Sequence, residues 1–300
     1  MKKKYIFCIP SSTDFAIATA VLIYSIKKNL KLAGMCDFVV PYNDLSERAM
    51  NYIRKAHSDV KFEKPKDNSF YSKINTTIYG KDNYDCYLSF EAFWQDGYEK
   101  CIYLDADMLC IKDFSEIILD NNGGVTWKYP NLGTVVIGKN HLDKKTYYKL
   151  IDQALKRNRN NPGGDQETVK QLFPSNSSSV QIINAFYNFQ HWGGGGRGTN
   201  KYFKDNQDNI RIIHYSGKRK PWGKCWDSDI YKDNDLNCQR FPHMMWNCEA
   251  VKIWYEYFER FKIECVNCNS LSPLEKYQKN KDVVIEDVPD ELKGLHMGGI

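Results

Sequence analysis

The chain has no apolar stretch long enough to cross a bilayer, no internal repeat of useful length and no strong excess of charge of either sign. A formal net charge of +5 over 300 residues is too mild and too evenly spread for nucleic acid, and it suits an anionic small molecule. A secretory leader is not expected either. "MKKKYIFCIPSSTDF" opens with lysines and an apolar run, but Pro10 and the polar residues after it cut the run short, and no cleavage site follows. The expectation is a cytoplasmic chain, which leaves the glycosylation sequons at Asn75 and Asn176 little weight. A disulfide framework is not expected either. Of ten cysteines, Cys8, Cys36, Cys86, Cys101 and Cys110 are scattered singly, several of them in apolar runs, and read as reduced core thiols. With 42% hydrophobic residues, the core is ample and disorder is excluded.

What is present is an alternation. "KYIFCI" reads as a buried strand. "DFAIATAVLIYSIKKN" places Phe15, Ala18, Leu22, Ile23 and Ile26 at helical spacing behind Asp14, a candidate N-cap. "MCDFVVPY" is strand-like, "DLSERAMNYIRKA" helical, and "YDCYLSFEAFW" a further helix leading into the strand "KCIYLD". "GGVTW" and "NLGTVVIG" follow, then a helix from about Lys144 to Arg157, a short helix in "GGDQETVKQLF" and the strand "NIRIIHYS". Strands alternating with helices predict an α/β fold with a mostly parallel sheet, and ligands at the carboxyl ends of its strands. From about Trp226 the alternation fades into an aromatic, Cys-rich segment with one clear helix, "AVKIWYEYFERF". The expected division is a catalytic domain over 1–225 and an extension over 226–300 packing on it.

Asp105 and Asp107 end the apolar run "KCIYLDAD". Carboxylates rarely close a buried strand unless something positive meets them there. On an extended chain the two would point the same way and converge on one hard cation. Two chemistries use such a pair. Nucleotide-sugar transferases hold a divalent cation on it, and haloacid-dehalogenase-type phosphatases use the first Asp as nucleophile. The second places the pair on the first strand, followed by Gly-Thr, whereas here it comes on the fourth and "MLC" follows. The plain alternative is two solvated strand-end acids. In "IIHYSGKRKPWG", His214 suits Mn²⁺ beside carboxylates, Gly217 lets a backbone N–H approach an anion, and Lys220 supplies a point charge to phosphate. Read alone, the segment is equally a basic turn with a buried Trp. In "NPGGDQETV", Asp165 is either a helix N-cap or, with Gln166, a sugar-facing group for which Gly163 and Gly164 allow close approach. The turn "CIPSSTDF" follows the first strand, where α/β folds place a nucleotide, and Ile9, Ser11, Ser12 and Phe15 are candidates to flank a uracil ring.

In the order of "SSTDF", "YLDADMLC", "NLGTVV", "GGDQ" and "HYSGKRKPW", residues 4–224 resemble the glycogenin-like glycosyltransferases of family 8, which have the GT-A fold. The resemblance implies a retaining hexosyltransferase that uses UDP-glucose or UDP-galactose and Mn²⁺, with Mg²⁺ as the alternative. It implies Asp105, Asp107 and His214 as metal ligands, Gly217 and Lys220 as diphosphate contacts, and Ile9, Ser11, Ser12 and Phe15 as the uridine pocket. Ala106 falls against the ribose, and Asn131, Gly133, Gly164, Asp165 and Gln166 at the sugar, Asp165 and Gln166 being the catalytic candidates. The acceptor is open between a carbohydrate, a lipid and a protein side chain, and so is the oligomeric state, a homodimer being one reading because members of the family often dimerise. The chain also departs from the pattern. Members carry Lys or Arg in the helix before the paired aspartates, where this chain has Ser89, leaving Lys73 or Lys81 as substitutes. Asn161 and Pro162 replace a further acid, and Val169 and Lys170 replace Leu-Asn.

Two other classes stay open: a nucleotide-sugar-binding protein that has lost transfer, and a phosphatase or phosphotransferase using Asp105. The glycine run Gly193–Gly196, with His191, Trp192 and Arg197, is either an acceptor-side lid or a plain loop. Cys238, His243, Cys248, Cys265 and Cys268 are either a zinc site without a familiar spacing or unpaired thiols.

Overall fold

The apolar run Tyr5–Cys8 forms a strand, β1, with all four residues buried. In the computed structural model the described residues are 3–71, 73–74, 77–78, 81–82, 84–157, 164–191, 200–217, 220–222 and 248–266. After β1 come α1 (Ala16–Asn29), β2 (Cys36–Pro41), α2 (Glu47–Ala56), β3 (Lys61–Glu63), α3 (Asn68–Tyr71), β4 (Thr77–Ile78) and β5 (Lys81–Asp82). Next are β6 (Lys100–Leu104), β7 (Met108–Cys110), α4 (Ser115–Leu119), β8 (Val125–Trp127), β9 (Thr134–Gly138), α5 (Lys144–Lys156) and α6 (Gly164–Leu172). The last are β10 (Val180–Ile182), β11 (Phe189–Gln190), α7 (Asn200–Asn206), β12 (Ile212–His214) and α8 (Cys248–Phe261).

The main sheet has seven strands in the order β10-β8-β9-β6-β1-β2-β3. Strands β6, β1, β2 and β3 pair in parallel, as do β10 and β8, while β9 runs antiparallel to both its neighbours. This is a mixed, mostly parallel α/β sheet. Side chains alternate across it. Tyr5, Phe7, Ile102, Leu104 and Val136 face α1, α2 and α8, and Ile6, Cys8, Cys101, Tyr103, Val135 and Ile137 face α5 and α6. Both faces are covered, which is why β1 reads as a continuous apolar run rather than an alternating one.

Three local expectations need correction. Helix α1 is not one-sided: every residue from Ala16 to Ile26 is buried, because β7, α2 and α8 all pack on it. Asp14 does not cap α1. It lies in a 3₁₀ turn, Thr13–Phe15, and Phe15 occupies the cap position. The helical segment around Tyr84 to Trp94 is also 3₁₀, over Tyr84–Phe93. Behind Trp222, residues 248–266 join the core shared with α1, while the boundary near residue 225 lies outside the described residues.

A small second sheet decides the site. Strand β7 pairs antiparallel with β12, placing Met108 opposite His214, and β11 pairs parallel on the other side of β12.

Candidate functional site

Asp105 and Asp107 do not lie on one extended strand. Leu104 ends β6 and Met108 begins β7, so Asp105, Ala106 and Asp107 form the turn between two sheets. Convergence comes from across the small sheet instead: His214 Nε2 lies 3.1 Å from Asp107 Oδ1 and 3.5 Å from Asp105 Oδ2. One ligand atom from each residue falls within 4.8 Å of the others. The turn is pinned by backbone bonds. Asp105 N–H donates to Gly133 O (3.0 Å), and Tyr215 N–H donates to Asp107 O (2.8 Å).

Each group is oriented from behind. Tyr103 donates to Asp105 Oδ1 at 2.5 Å. His214 Nδ1 meets Asn188 Oδ1 at 2.8 Å, Asn188 Nδ2 donates to Asn131 Oδ1 at 2.7 Å, and Gly133 N–H donates to the same oxygen at 2.9 Å. An amide oxygen only accepts, so Nδ1 carries a hydrogen, and the ring is held with Nε2 facing the two carboxylates. Lys220 Nζ donates to Asp107 Oδ2 at 2.5 Å and to Tyr215 O at 2.9 Å. Burial alone would raise the Asp107 carboxyl, but Lys220 and His214 outweigh it and hold it well below the usual range. Asp105 moves the other way, raised by burial and by Asp107, against the pull of His214.

Gly133 sits where a side chain has no room. A Cβ there would lie 2.3 Å from Met108 Cε and 2.8 Å from His214 Cε1. Gly217 has φ +97° and Gly164 φ +52°, a region L side chains rarely adopt.

Asp165 is not a cap preceding α6, for it lies in the helix's first turn. It is 8% exposed, and both its oxygens are engaged: Ser89 donates to Oδ2 at 2.7 Å and Gln166 N–H to Oδ1 at 2.8 Å. Burial pushes its carboxyl up to about 7, with the Ser89 bond pulling against this and Asp105 adding to it. Gln166 follows it on the same turn of α6.

The turn after β1 extends the strand pairing, with Ile9 N–H donating to Val39 O and Ser11 N–H to Pro41 O. Ser11 Oγ lies 2.7 Å from Thr19 Oγ1, and Ser12 precedes the 3₁₀ turn. Phe15 meets Trp222 edge-on at 5.6 Å, and Lys220 Nζ lies 5.7 Å from the centre of the Phe15 ring.

The structure thus brings Asp105, Asp107, His214 and Lys220 into contact, ties Asn131 and Gly133 to them, and links Phe15 through Lys220. Gly163, Asn161 and Pro162, the run from Trp192 to Arg197, and Cys238, His243 and Cys268 lie outside the described residues. Sequence reasoning missed Asn188, Tyr103 and the partnership of Ser89 with Asp165. Asn188 stands in "FYNF" with nothing local to mark it. Tyr103 was legible only as a strand residue two positions before Asp105.

Comparison with known proteins gives the setting. The model of Glycosyl transferase family 8 matches residues 7–127 and 120–225. The glycosyltransferase GlyE of Streptococcus pneumoniae serotype 4 (strain ATCC BAA-334 / TIGR4) is 26% identical over 223 residues, which are 64% of this chain and 50% of GlyE. The chain therefore spans half the length of that relative. Among solved structures, galactosyltransferase LgtC in complex with donor and acceptor sugar analogs has a TM-score of 0.59 at 16% identity, covering 92% of this chain and 100% of LgtC. The bifunctional glycosyltransferase WbbM has a TM-score of 0.57 at 19% identity, covering 84% and 52%. These neighbours are GT-A glycosyltransferases, and the chain shares their fold. With the family model matched across most of its length, this chain belongs to glycosyl transferase family 8.

Proposed function

We propose that the protein is a divalent-cation-dependent retaining glycosyltransferase that moves a hexose, glucose or galactose, from UDP to an acceptor hydroxyl. The observation that carries this reading is the convergence of Asp105, Asp107 and His214, with Lys220 bonded to Asp107. Two carboxylates and an imidazole nitrogen gathered within 4.8 Å of one another call for positive charge between them. Two oxygens and one imidazole suit Mn²⁺ best and Mg²⁺ second. Asp105, Asp107 and His214 would hold the cation, which would supply positive charge against the negative charge that develops on the diphosphate as UDP departs.

The chain's own groups would supply the remainder. Lys220 is placed beside the cation site by two hydrogen bonds and would give its charge to a phosphate. Gly217, with its positive φ, allows a phosphate close to the backbone. Ile9, Ser11, Ser12 and Phe15 would hold uracil, Ala106 the ribose, and Asn131, Gly133, Gly164, Asp165 and Gln166 the sugar. Asp165 has both oxygens engaged and a carboxyl raised to about 7, which makes it a poor nucleophile and a good partner for sugar hydroxyls. We therefore favour attack by the acceptor on the face UDP leaves, with Asp165 and Gln166 holding the sugar. Asp105 is likewise engaged, by Tyr103 and His214, which argues against phosphotransfer through it. Buried free thiols at Cys8, Cys36, Cys101 and Cys110 support a cytoplasmic setting, and no helix among the described residues is long and apolar enough to cross a membrane.

The test is UDP release from a panel of UDP-sugars, with and without Mn²⁺. Release from UDP-glucose or UDP-galactose that needs Mn²⁺ and disappears in Asp105→Ala supports the reading. Release that survives both EDTA and that substitution contradicts it.

A further inference from the structure

Helix α8 begins at Cys248, beyond residue 225 where the match to the family model ends. It nonetheless reaches the proposed donor site by two independent routes. The first is a column of aromatic rings. Phe15, in the nucleotide turn, meets Trp222 edge-on at 5.6 Å. Trp222 lies against Trp254 of α8 at 5.5 Å and 37°, and Trp254 stacks on Phe258 at 5.2 Å and 23°. Trp222 and Trp254 are both out of water, at 7% and 1% exposure, so their contact fixes geometry as well as burying area.

The second route is hydrogen bonding on both sides of Lys220. Tyr255 of α8 donates its hydroxyl hydrogen to Pro221 O at 2.7 Å, and Tyr215 donates its own to Ala250 O at 2.6 Å. Pro221 has no amide hydrogen, so its carbonyl is its only backbone hydrogen-bonding group, and Tyr255 bonds to it. Tyr215 O in turn accepts from Lys220 Nζ at 2.9 Å. Residues before and after Lys220 are thus both anchored to one helix.

A lysine on a four-carbon stem binds phosphate more tightly when the backbone beneath it is fixed in advance, because less freedom is lost on binding. The geometry points to Trp254 and Tyr255 as positioning residues for the diphosphate: α8 holds Lys220 and Trp222 against β12 and the Phe15 turn, and donor affinity depends on that hold. The inference rests on the proposed donor reading.

Tyr255→Phe in the full chain removes the hydroxyl and keeps the ring. UDP and uridine binding are measured by calorimetry with Mn²⁺, beside thermal unfolding and hydrogen exchange of peptides spanning the Lys220 loop. The expected result is a Kd for UDP raised about fivefold, the worth of one ordinary hydrogen bond. Uridine, which has no phosphate, binds as before, Tm falls by no more than the worth of one hydrogen bond and exchange in the loop quickens. Trp254→Leu shifts UDP affinity in the same direction and further. A wild-type chain that binds no UDP overturns the donor reading, and this inference with it. A wild-type chain that binds UDP, with Tyr255→Phe matching it in Kd and in exchange, overturns the inference alone. Loss of UDP and uridine affinity together, with a lowered Tm, assigns Tyr255 a merely structural role and also overturns it.

Discussion

Ser89 donates its hydroxyl hydrogen to Asp165 Oδ2 at 2.7 Å, across 76 positions of sequence. Its short neutral side chain, 2% exposed, meets the carboxylate directly. Asp165 thus keeps a partner but gains no opposing charge, and burial raises its carboxyl to about 7.

Ser89→Ala leaves Asp165 with one fewer donor. A hydrogen bond to a charged or partly charged group is worth about 1.5–3 kcal/mol, so turnover should fall about 10- to 100-fold. Affinity for UDP, which carries no sugar, should be unchanged. Steady-state kinetics beside UDP calorimetry separates the two, and equal losses in both would place Ser89 in the nucleotide pocket instead.

Asn188→Ala removes the acceptor that sets the His214 tautomer. Loss of such outer partners typically costs about 10- to 100-fold in metal affinity. Mn²⁺ titration should show a drop of that size, beside a stability loss of about 1–3 kcal/mol because the buried His214 Nδ1 hydrogen is left without its acceptor.

Strands β1, β2, β6 and β12 and most helices were legible because their signals are local, whereas the short strands β3, β4, β5, β7, β10 and β11 were not read from the sequence. "YIFC" is apolar at every position, and "ERAMNYIRKA" has Ser46 at its N-cap, with the side chain accepting from Ala49 N–H. The paired aspartates were legible because carboxylates at the end of an apolar run need a reason to be there. Their mode of convergence was not, since it depends on β7 pairing with β12 rather than on alternation along one strand. Asn188 and the bond between Ser89 and Asp165 depend on packing between distant segments, and nothing in their neighbours marks them.

Gly133→Ala would drive a methyl group into Met108 and the His214 ring. Met108 can move aside, but clearing the ring requires His214 to give up its bond to Asn188 and shift off the aspartates. The expected cost is about 1–3 kcal/mol of stability, together with loss of cation-dependent UDP binding, measured by denaturant melts and calorimetry.

Glu91 supplies a pH-dependent prediction away from the site. It is 2% exposed and accepts from Tyr147 at 2.8 Å and from Lys66 N–H. Burial lifts its carboxyl from 4.5 to about 7, against the pull of Tyr147 and Lys66. The unfolded chain therefore loses this proton first as pH rises, so the wild type loses stability between about pH 4.5 and 7 and none below that window. Glu91→Gln removes the slope. The variant should gain up to about 3 kcal/mol relative to wild type between pH 4 and pH 8, read from urea midpoints, and a constant difference across that range would contradict the assignment.

Phe7 stacks on Phe38 at 5.3 Å and 16° and meets Phe114 edge-on at 6.2 Å, joining β1 to β2 under α1. Phe7→Ala should cost about 3–5 kcal/mol, measured by chemical denaturation.

The most direct test of the account is UDP binding by calorimetry to wild type and His214→Ala, each with Mn²⁺ and with EDTA. Wild type is expected to bind UDP far more tightly with Mn²⁺ than with EDTA, and His214→Ala to bind it weakly in both conditions. Equal affinity in wild type with and without Mn²⁺, or a Mn²⁺ effect that persists in His214→Ala, would contradict the assignment of Asp105, Asp107 and His214 as one cation site.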